Sequence, residues 1–271
     1  MTNAEEPHVL FEKIGRVGVI TLNRPARLNA WSGEMAAGVR RHVIECNEDR
    51  DIGAVVITGA GRGFCSGADL RRRQEAPPAA QQQEQPQRRA GTGGGMPVPE
   101  LFTSSKPIIA AINGPSIGVG FTLTLACDIR IASEQARLSA RFVRIGLTPE
   151  LASTFFLPQI VGLGHAAELI LTGRIIDAET AYHIGLVSKV VPPEKLMEEA
   201  LALGEEIAFN PMQHVRWAKQ LLYANVTNSQ LASVQLVENI IFGNATRSAA
   251  NREAGAAFVE KRDPDFRKLG D

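Results

Sequence analysis

Residues 106–150 read KPIIAAINGPSIGVGFTLTLACDIRIASEQARLSARFVRIGLTPE. An apolar run, a glycine-rich turn and a second apolar run follow one another there, and that order decides the fold. Lys106 to Ile112 is rich in isoleucine and alanine and is closed by the turn residues Asn113-Gly114-Pro115, which predicts a buried strand. Ser116-Ile117-Gly118-Val119-Gly120 then brings two glycines that let backbone approach a ligand, and FTLTLACDI continues as a helix. The first amides of such a helix have no internal partner and attract negative charge. Close packing of a strand against a helix is the plainer use of Gly118 and Gly120, and this stretch alone leaves both uses open.

A second segment has the same grammar. Ala54 to Thr58 (AVVIT) predicts another buried strand, and it runs into the flexible GAGRGFCSGADL, Gly59 to Leu70. Two loops that each offer one backbone N–H to the same oxygen form a site that stabilises an enolate or a tetrahedral oxyanion.

Four motifs in this order resemble the crotonase superfamily, also called the enoyl-CoA hydratase/isomerase family, over nearly the whole chain. VGVITLNRPARLNAW (Val17 to Trp31) is similar to the family's opening hairpin and CoA-adenine loop, and GRGFCSGADL to its first oxyanion loop. The stretch from Lys106 to Ser133 is similar to its second oxyanion loop, and AAFVEKRDPDF (Ala256 to Phe266) to its closing helix. The resemblance implies an acyl-CoA thioester as substrate, its carbonyl oxygen held by the N–H groups of Ala68 and Val119. It also implies CoA contacts at Ala26, Leu28, Ser66, Ala68, Leu70 and Gly118, with Phe258 and Lys261 reaching the nucleotide, commonly from a neighbouring subunit. Phe258 and Lys261 equally suit an ordinary amphipathic helix. Most members have glycine where Val119 stands; valine keeps the N–H and adds a branched side chain near the acyl group. Asp69 fits loop fixation better than chemistry.

A typical hydratase of this family resembles a two-carboxylate machine, and both acid positions are occupied here by other residues, Thr122 and Phe142. A threonine hydroxyl has no useful basicity near neutral pH and phenylalanine has no proton to give. Glu150 remains. In the family's isomerase-like branches the segment matching IGLTPELAST carries a single acid that shuttles a proton, and one carboxylate suffices to move a double bond. Thr148-Pro149-Glu150 is also a good helix start, with Thr148 as N-cap and Glu150 favoured by the helix dipole. Leu147, Leu151, Phe155 and Phe156 offer an apolar surround that would raise the basicity of a carboxylate. Three functions stand: enoyl-CoA isomerase using Glu150, enoyl-CoA hydratase of the fatty-acid β-oxidation type with atypical acid/base residues, and catalytically silent acyl-CoA binder.

Composition agrees without deciding. The chain has 271 residues, 44% of them hydrophobic, enough for one large core. Its formal net charge of +0 gives no support for nucleic-acid or membrane binding. Cys46, Cys65 and Cys127 lie far apart, an odd count that predicts buried thiols in a reducing compartment. His8, His42, His165, His183 and His214 form no paired arrangement, so no metal is expected; His165 reads as a helix start beside a glycine. The acidic MTNAEEPHVL resembles no targeting leader, and no apolar stretch escapes glycine, proline and charge for long enough to cross a bilayer, so a cytoplasmic protein is expected. No cofactor is expected beyond the CoA of the substrate.

The expected architecture is α/β. Strands at Val9 to Ile14 and Val17 to Leu22 open a core of alternating strands and helices that runs to residue 195, and residues 196–271 read as helices alone. The resemblance implies a spiral of ββα turns with a C-terminal helical trimerisation region, as a homotrimer or a hexamer built from two trimers. GLVSKVVPPEKL, Gly185 to Leu196, supplies the last strand and the bridge to the tail. One insert of low complexity, residues 71–99, is rich in glutamine, proline and glycine and cannot supply a core. It reads as a solvated loop or as a lid whose arginines reach the CoA phosphates.

Overall fold

Valine and isoleucine fill the central strands because those strands are covered on both faces. The computed structural model describes residues 6–69 and 98–269. Strand β1 (Val9–Ile14) turns through Gly15, at φ +56°, into β2 (Val17–Leu22) and pairs with it antiparallel. From β2 onward the sheet is parallel: β3 (Ala54–Gly59), β4 (Ile108–Ile112), β6 (Ile129–Ser133) and β9 (Lys189–Val191) are laid down in that order. All residues of β3 and β4 are buried, as fits a parallel sheet with helices on both sides. A second sheet joins three short strands, β5 (Pro115–Ile117), β7 (Arg137–Ser139) and β8 (Ile176–Asp177). Strand β5 begins at Pro115, where the sequence reads as turn; three residues are too few to show a period.

Alternation along the strands sorts two cores. Val55, Ile57, Ile108, Ala110 and Ile112 face the larger one, while Val56, Ile109 and Ala111 face the smaller one. Helix α1 (Gly33–Glu48) buries Met35, Val39 and Val43 in the larger core and is capped by Ser32, whose hydroxyl accepts the Met35 N–H at 3.2 Å. Such a cap contributes about 1 kcal/mol. Helices α2 (Val98–Ser104), α3 (Val119–Leu125) and α4 (Ser153–Thr172) complete that layer. Helix α5 (Ala178–His183) precedes β9.

Beyond β9 the described chain is helical. Helix α6 (Leu196–Phe209) lies on the C-terminal side of the boundary expected at 195, yet it covers the sheet, with Leu196 and Ala200 in the smaller core. Helices α7 (Met212–Asn225), α8 (Leu231–Thr246) and α9 (Ala249–Glu260) follow. α8 buries none of its residues and exposes Leu231, Leu236, Ile240 and Phe242.

By length and composition α4 alone, among the described residues, could cross a bilayer, at mean hydropathy 1.3. It contains Pro158 and a non-helical break at Gly162, and Phe156, Leu157, Val161, Ala166 and Leu169 pack into the larger core. His165 falls just after that break, at the start of the second helical piece, as the sequence indicates.

Gly204 of α6 lets the helix rest on β2, since an added Cβ there would lie 2.7 Å from a methyl of Val17. Gly204→Ala is expected to cost about 1–3 kcal/mol, measured as a lower urea midpoint with an unchanged slope.

Candidate active site

Strands β3 and β4 are parallel neighbours and end at the same level of the sheet, so the loops that follow them leave together. Those loops then pair again. The N–H of Cys65 donates to Pro115 O at 2.9 Å and the N–H of Ile117 to Cys65 O at 2.9 Å, a parallel bridge between Cys65 and Ser116. Three residues beyond each bridge partner stand Ala68 and Val119. Their predecessors pack directly: a Cβ on Gly118 would lie 3.9 Å from the Gly67 Cα. Gly67 at φ +103° and Gly118 at φ +55° turn the two chains where other residues would be strained. Val119 is the first residue of α3, so its N–H has no intrahelical acceptor, and Ala68 N–H donates to no carbonyl among the described residues. The residues that precede the two amides named from sequence are thus packed against each other.

Asparagines hold the loops in place. Asn113 Nδ2 donates to the carbonyls of Gly59, Gly61 and Gly63 at 2.9, 2.9 and 3.3 Å. Buried Asn29 donates to Ala60 O and Gly63 O at 3.0 and 2.7 Å. Gly120 is required by contact, because a Cβ would sit 2.3 Å from Cys65 O. Asp69 acts as a loop anchor: its carboxylate accepts Arg24 Nη2 at 2.9 Å and Arg27 Nη1 at 3.2 Å, and its N–H donates to Trp31 O. Burial pushes the Cys65 thiol up to about 11, so it stays protonated beside the site.

Besides Ala68 and Gly118 in the two loops, the residues named for CoA divide into three groups. Ala26, Leu28 and Ser66 lie in one patch next to the first loop, where Ser66 N–H donates to Leu28 O at 2.9 Å and Leu28 adopts φ +48°. Leu70 lies outside the described residues, as does residues 71–97 of the insert. Phe258 and Lys261 stand at the far end of the chain: Phe258 is 85% exposed on α9, and Lys261 closes that helix in the left-handed conformation at φ +54°.

Thr122 and Phe142 are both buried. The Thr122 hydroxyl donates to Val119 O at 3.3 Å, and Phe142 packs in the larger core. Glu150 is exposed on a turn that leads into α4, the helix packed against α3. The expectation that Thr148 caps this helix is corrected: α4 begins at Ser153, with Ala152 as its N-cap residue. Leu151 and Ala152 take φ +50° and +54° in succession, and Ser153 N–H donates to Glu150 O at 3.0 Å. Two left-handed residues in a row override the favourable Thr-Pro-Glu signal and set Glu150 ahead of the helix. Non-glycine residues in this region are strained by about 1–2 kcal/mol each, and such strain collects at functional sites. The apolar surround is thinner than expected, since Phe156 is buried and Leu151 half-buried while Leu147 and Phe155 are exposed.

A protein-family model described as enoyl-CoA hydratase/isomerase matches residues 12–269. The chain belongs to the enoyl-CoA hydratase/isomerase family. It is 34% identical over 258 residues to a probable enoyl-CoA hydratase of Mycobacterium bovis, covering 95% of this chain and 97% of the relative. It is 36% identical over 258 residues to the 1,2-epoxyphenylacetyl-CoA isomerase of Escherichia coli, covering 92% and 94%. Among solved structures, an enoyl-CoA hydratase from Bacillus anthracis superposes with TM-score 0.86 at 32% identity, covering 96% of this chain and 98% of that one. The fold is therefore the crotonase fold, and the family is that of acyl-CoA-processing enzymes.

Sequence reading missed the side chains that fix the site from behind. Asn113 reads as a turn residue, and nothing in the local pattern singles out Asn29 or Arg24. Only proximity in space shows which carbonyls and carboxylates they hold. Ala152→Gly relieves one left-handed residue and is expected to raise stability by about 1 kcal/mol, measured by chemical denaturation.

Proposed function

We propose that the protein moves a double bond within an enoyl-CoA thioester, with Glu150 as the proton-transfer group and the Ala68 and Val119 amides on the thioester oxygen. One observation carries this reading: Thr122 and Phe142 occupy the two places where family hydratases resemble a two-carboxylate machine, and Glu150 is the acid left at the entry to α4, the helix that packs against α3. The carboxylate takes a proton from C2 of a 3-enoyl thioester. The C–H electron pair passes through the conjugated system to the carbonyl oxygen, giving a dienolate held by two N–H donors. Return of that proton at C4 from the same carboxyl leaves the double bond between C2 and C3, so atoms balance with no water consumed.

Turning Glu150 ahead of α4 supports the reading. A carboxylate at the helix start would be stabilised as the anion and weakened as a base; the left-handed pair at Leu151 and Ala152 takes it out of that position. On this reading CoA is bound as part of the substrate, no separate cofactor is used, and the enzyme works in the cytoplasm. The exposed apolar side chains of α8, with Leu222 on α7 and Phe258 and Val259 on α9, support assembly as a trimer or a dimer of trimers. Sedimentation is expected to return three or six times the 29.2 kDa chain mass; a monomer would remove the subunit contribution of Phe258 and Lys261.

Hydration is the second reading, favoured by the hydratase names of relatives such as the short-chain-enoyl-CoA hydratase of Clostridium acetobutylicum, 35% identical over 256 residues. Offering 3-enoyl-CoA and 2-enoyl-CoA separately distinguishes them. Isomerisation is expected to dominate, and Glu150→Gln is expected to lower its kcat by about 100- to 10,000-fold with KM little changed. Faster hydration than isomerisation, or full activity in Glu150→Gln, overturns the isomerase reading; tight acyl-CoA binding without turnover points to a silent binder.

A further inference from the structure

Buried Lys219 and half-buried Asp128 and Arg130 form a charged group beyond the end of α3 that lies away from Val119. Asp128 follows that helix by three residues, and its Oδ2 accepts the Ile108 N–H at 2.7 Å and Lys219 Nζ at 2.7 Å. Its Oδ1 accepts the Tyr223 hydroxyl at 2.9 Å. Lys219 Nζ also donates to Phe102 O at 2.7 Å and Lys106 O at 3.2 Å. Arg130 completes the group: Nη1 donates to Thr124 O and Cys127 O at 3.3 and 2.7 Å, and Nε to Leu186 O at 2.9 Å. Lys219 and Tyr223 both come from α7, so the helical tail is bonded to the carboxylate of Asp128, three residues beyond the helix that carries the candidate oxyanion amide, while Arg130 takes the carbonyls of Thr124 and Cys127 at that helix's end.

Burial of such charges is costly, and apolar residues of similar volume often replace them with no loss of stability. Desolvation pulls the Lys219 and Arg130 pKa values down while Asp128 opposes the shift. What the charges provide is position. α3 is seven residues long, about 10 Å at 1.5 Å per residue, too short to bend. Fixing its last turn therefore fixes its first amide. An oxyanion donor loses its use when displaced by about 0.5 Å.

We infer that Tyr223 and Lys219, acting through Asp128, are positioning residues that hold the Val119 amide at the thioester oxygen, so that docking of α7 completes the site. The inference rests on the proposed thioester-oxygen site and not on isomerisation. Its test needs no turnover. Cinnamoyl-CoA has no C4 hydrogen to move, and its absorbance shifts to longer wavelength when its carbonyl is polarised by hydrogen bonds.

Bound to the wild-type protein, cinnamoyl-CoA is expected to show such a shift. Tyr223→Phe removes one donor with little change of shape and is expected to lose at least half of it. Lys219→Met is expected to lose more, if it folds. Lys106→Met is the control: Lys106 Nζ is buried on Cys46 O and Asp49 O at the end of α1, away from α3, so this variant is expected to lower Tm with the shift retained. A folded Tyr223→Phe with the full wild-type shift and only a lower Tm would overturn the inference, leaving the oxyanion site intact. No shift in the wild-type protein would overturn the oxyanion site and the inference together.

Discussion

Everything at the candidate site follows from β3 and β4 being parallel neighbours in fixed register. Val55 lies opposite Ile108 and Ile57 opposite Ala110, and the Thr58 hydroxyl donates to Ala111 O at 2.9 Å at the last level of the pair. Both strands point the same way, so both deliver their loops to the same edge. In open α/β sheets that edge is where ligands bind. The second pairing, Cys65 with Ser116, extends the register past the strands and brings Gly118 against Gly67, the residues before Val119 and Ala68. A one-residue slip in either strand would place a different amide there, and would also turn the alternating core faces inside out.

Such loops carry many carbonyls that a sheet cannot satisfy, and the structure meets them with side chains. Asn113 serves three, Asn29 two, Arg130 three and Lys106 two. Buried backbone acceptors left without donors would cost about 1–3 kcal/mol each. Helix ends receive the cations: Lys106 at α1 and Arg130 at α3, where the macrodipole is negative. The same side chains that satisfy the backbone also stop it moving, which is what a site of fixed amides requires.

On the proposed reading, two candidate oxygen-binding amides without the paired acids would separate stabilisation of an enolate from delivery of water. Thr122 and Phe142 are buried, so they are part of the core and not a damaged surface.

The sequence by itself placed strands at Val9 to Ile14, Val17 to Leu22, Ala54 to Thr58 and Lys106 to Ile112, within two residues of the observed ends, because the last two are apolar runs closed by glycine or asparagine that have few other uses. It also determined the family, the two glycine-rich loops and the absence of acids at positions 122 and 142, all properties of residue identity and order. Only the tertiary structure decided where Glu150 stands, since the left-handed turn at Leu151 and Ala152 is imposed by packing against local preference. It alone decided that α6 belongs to the sheet and that Lys219, spaced like any lysine of an amphipathic helix, is buried on Asp128. Local patterns report what a residue prefers, and the last two outcomes depend on distant partners, Asp128 lying 91 residues from Lys219 and Arg16 189 residues from Glu205 of α6, whose approach no local pattern encodes.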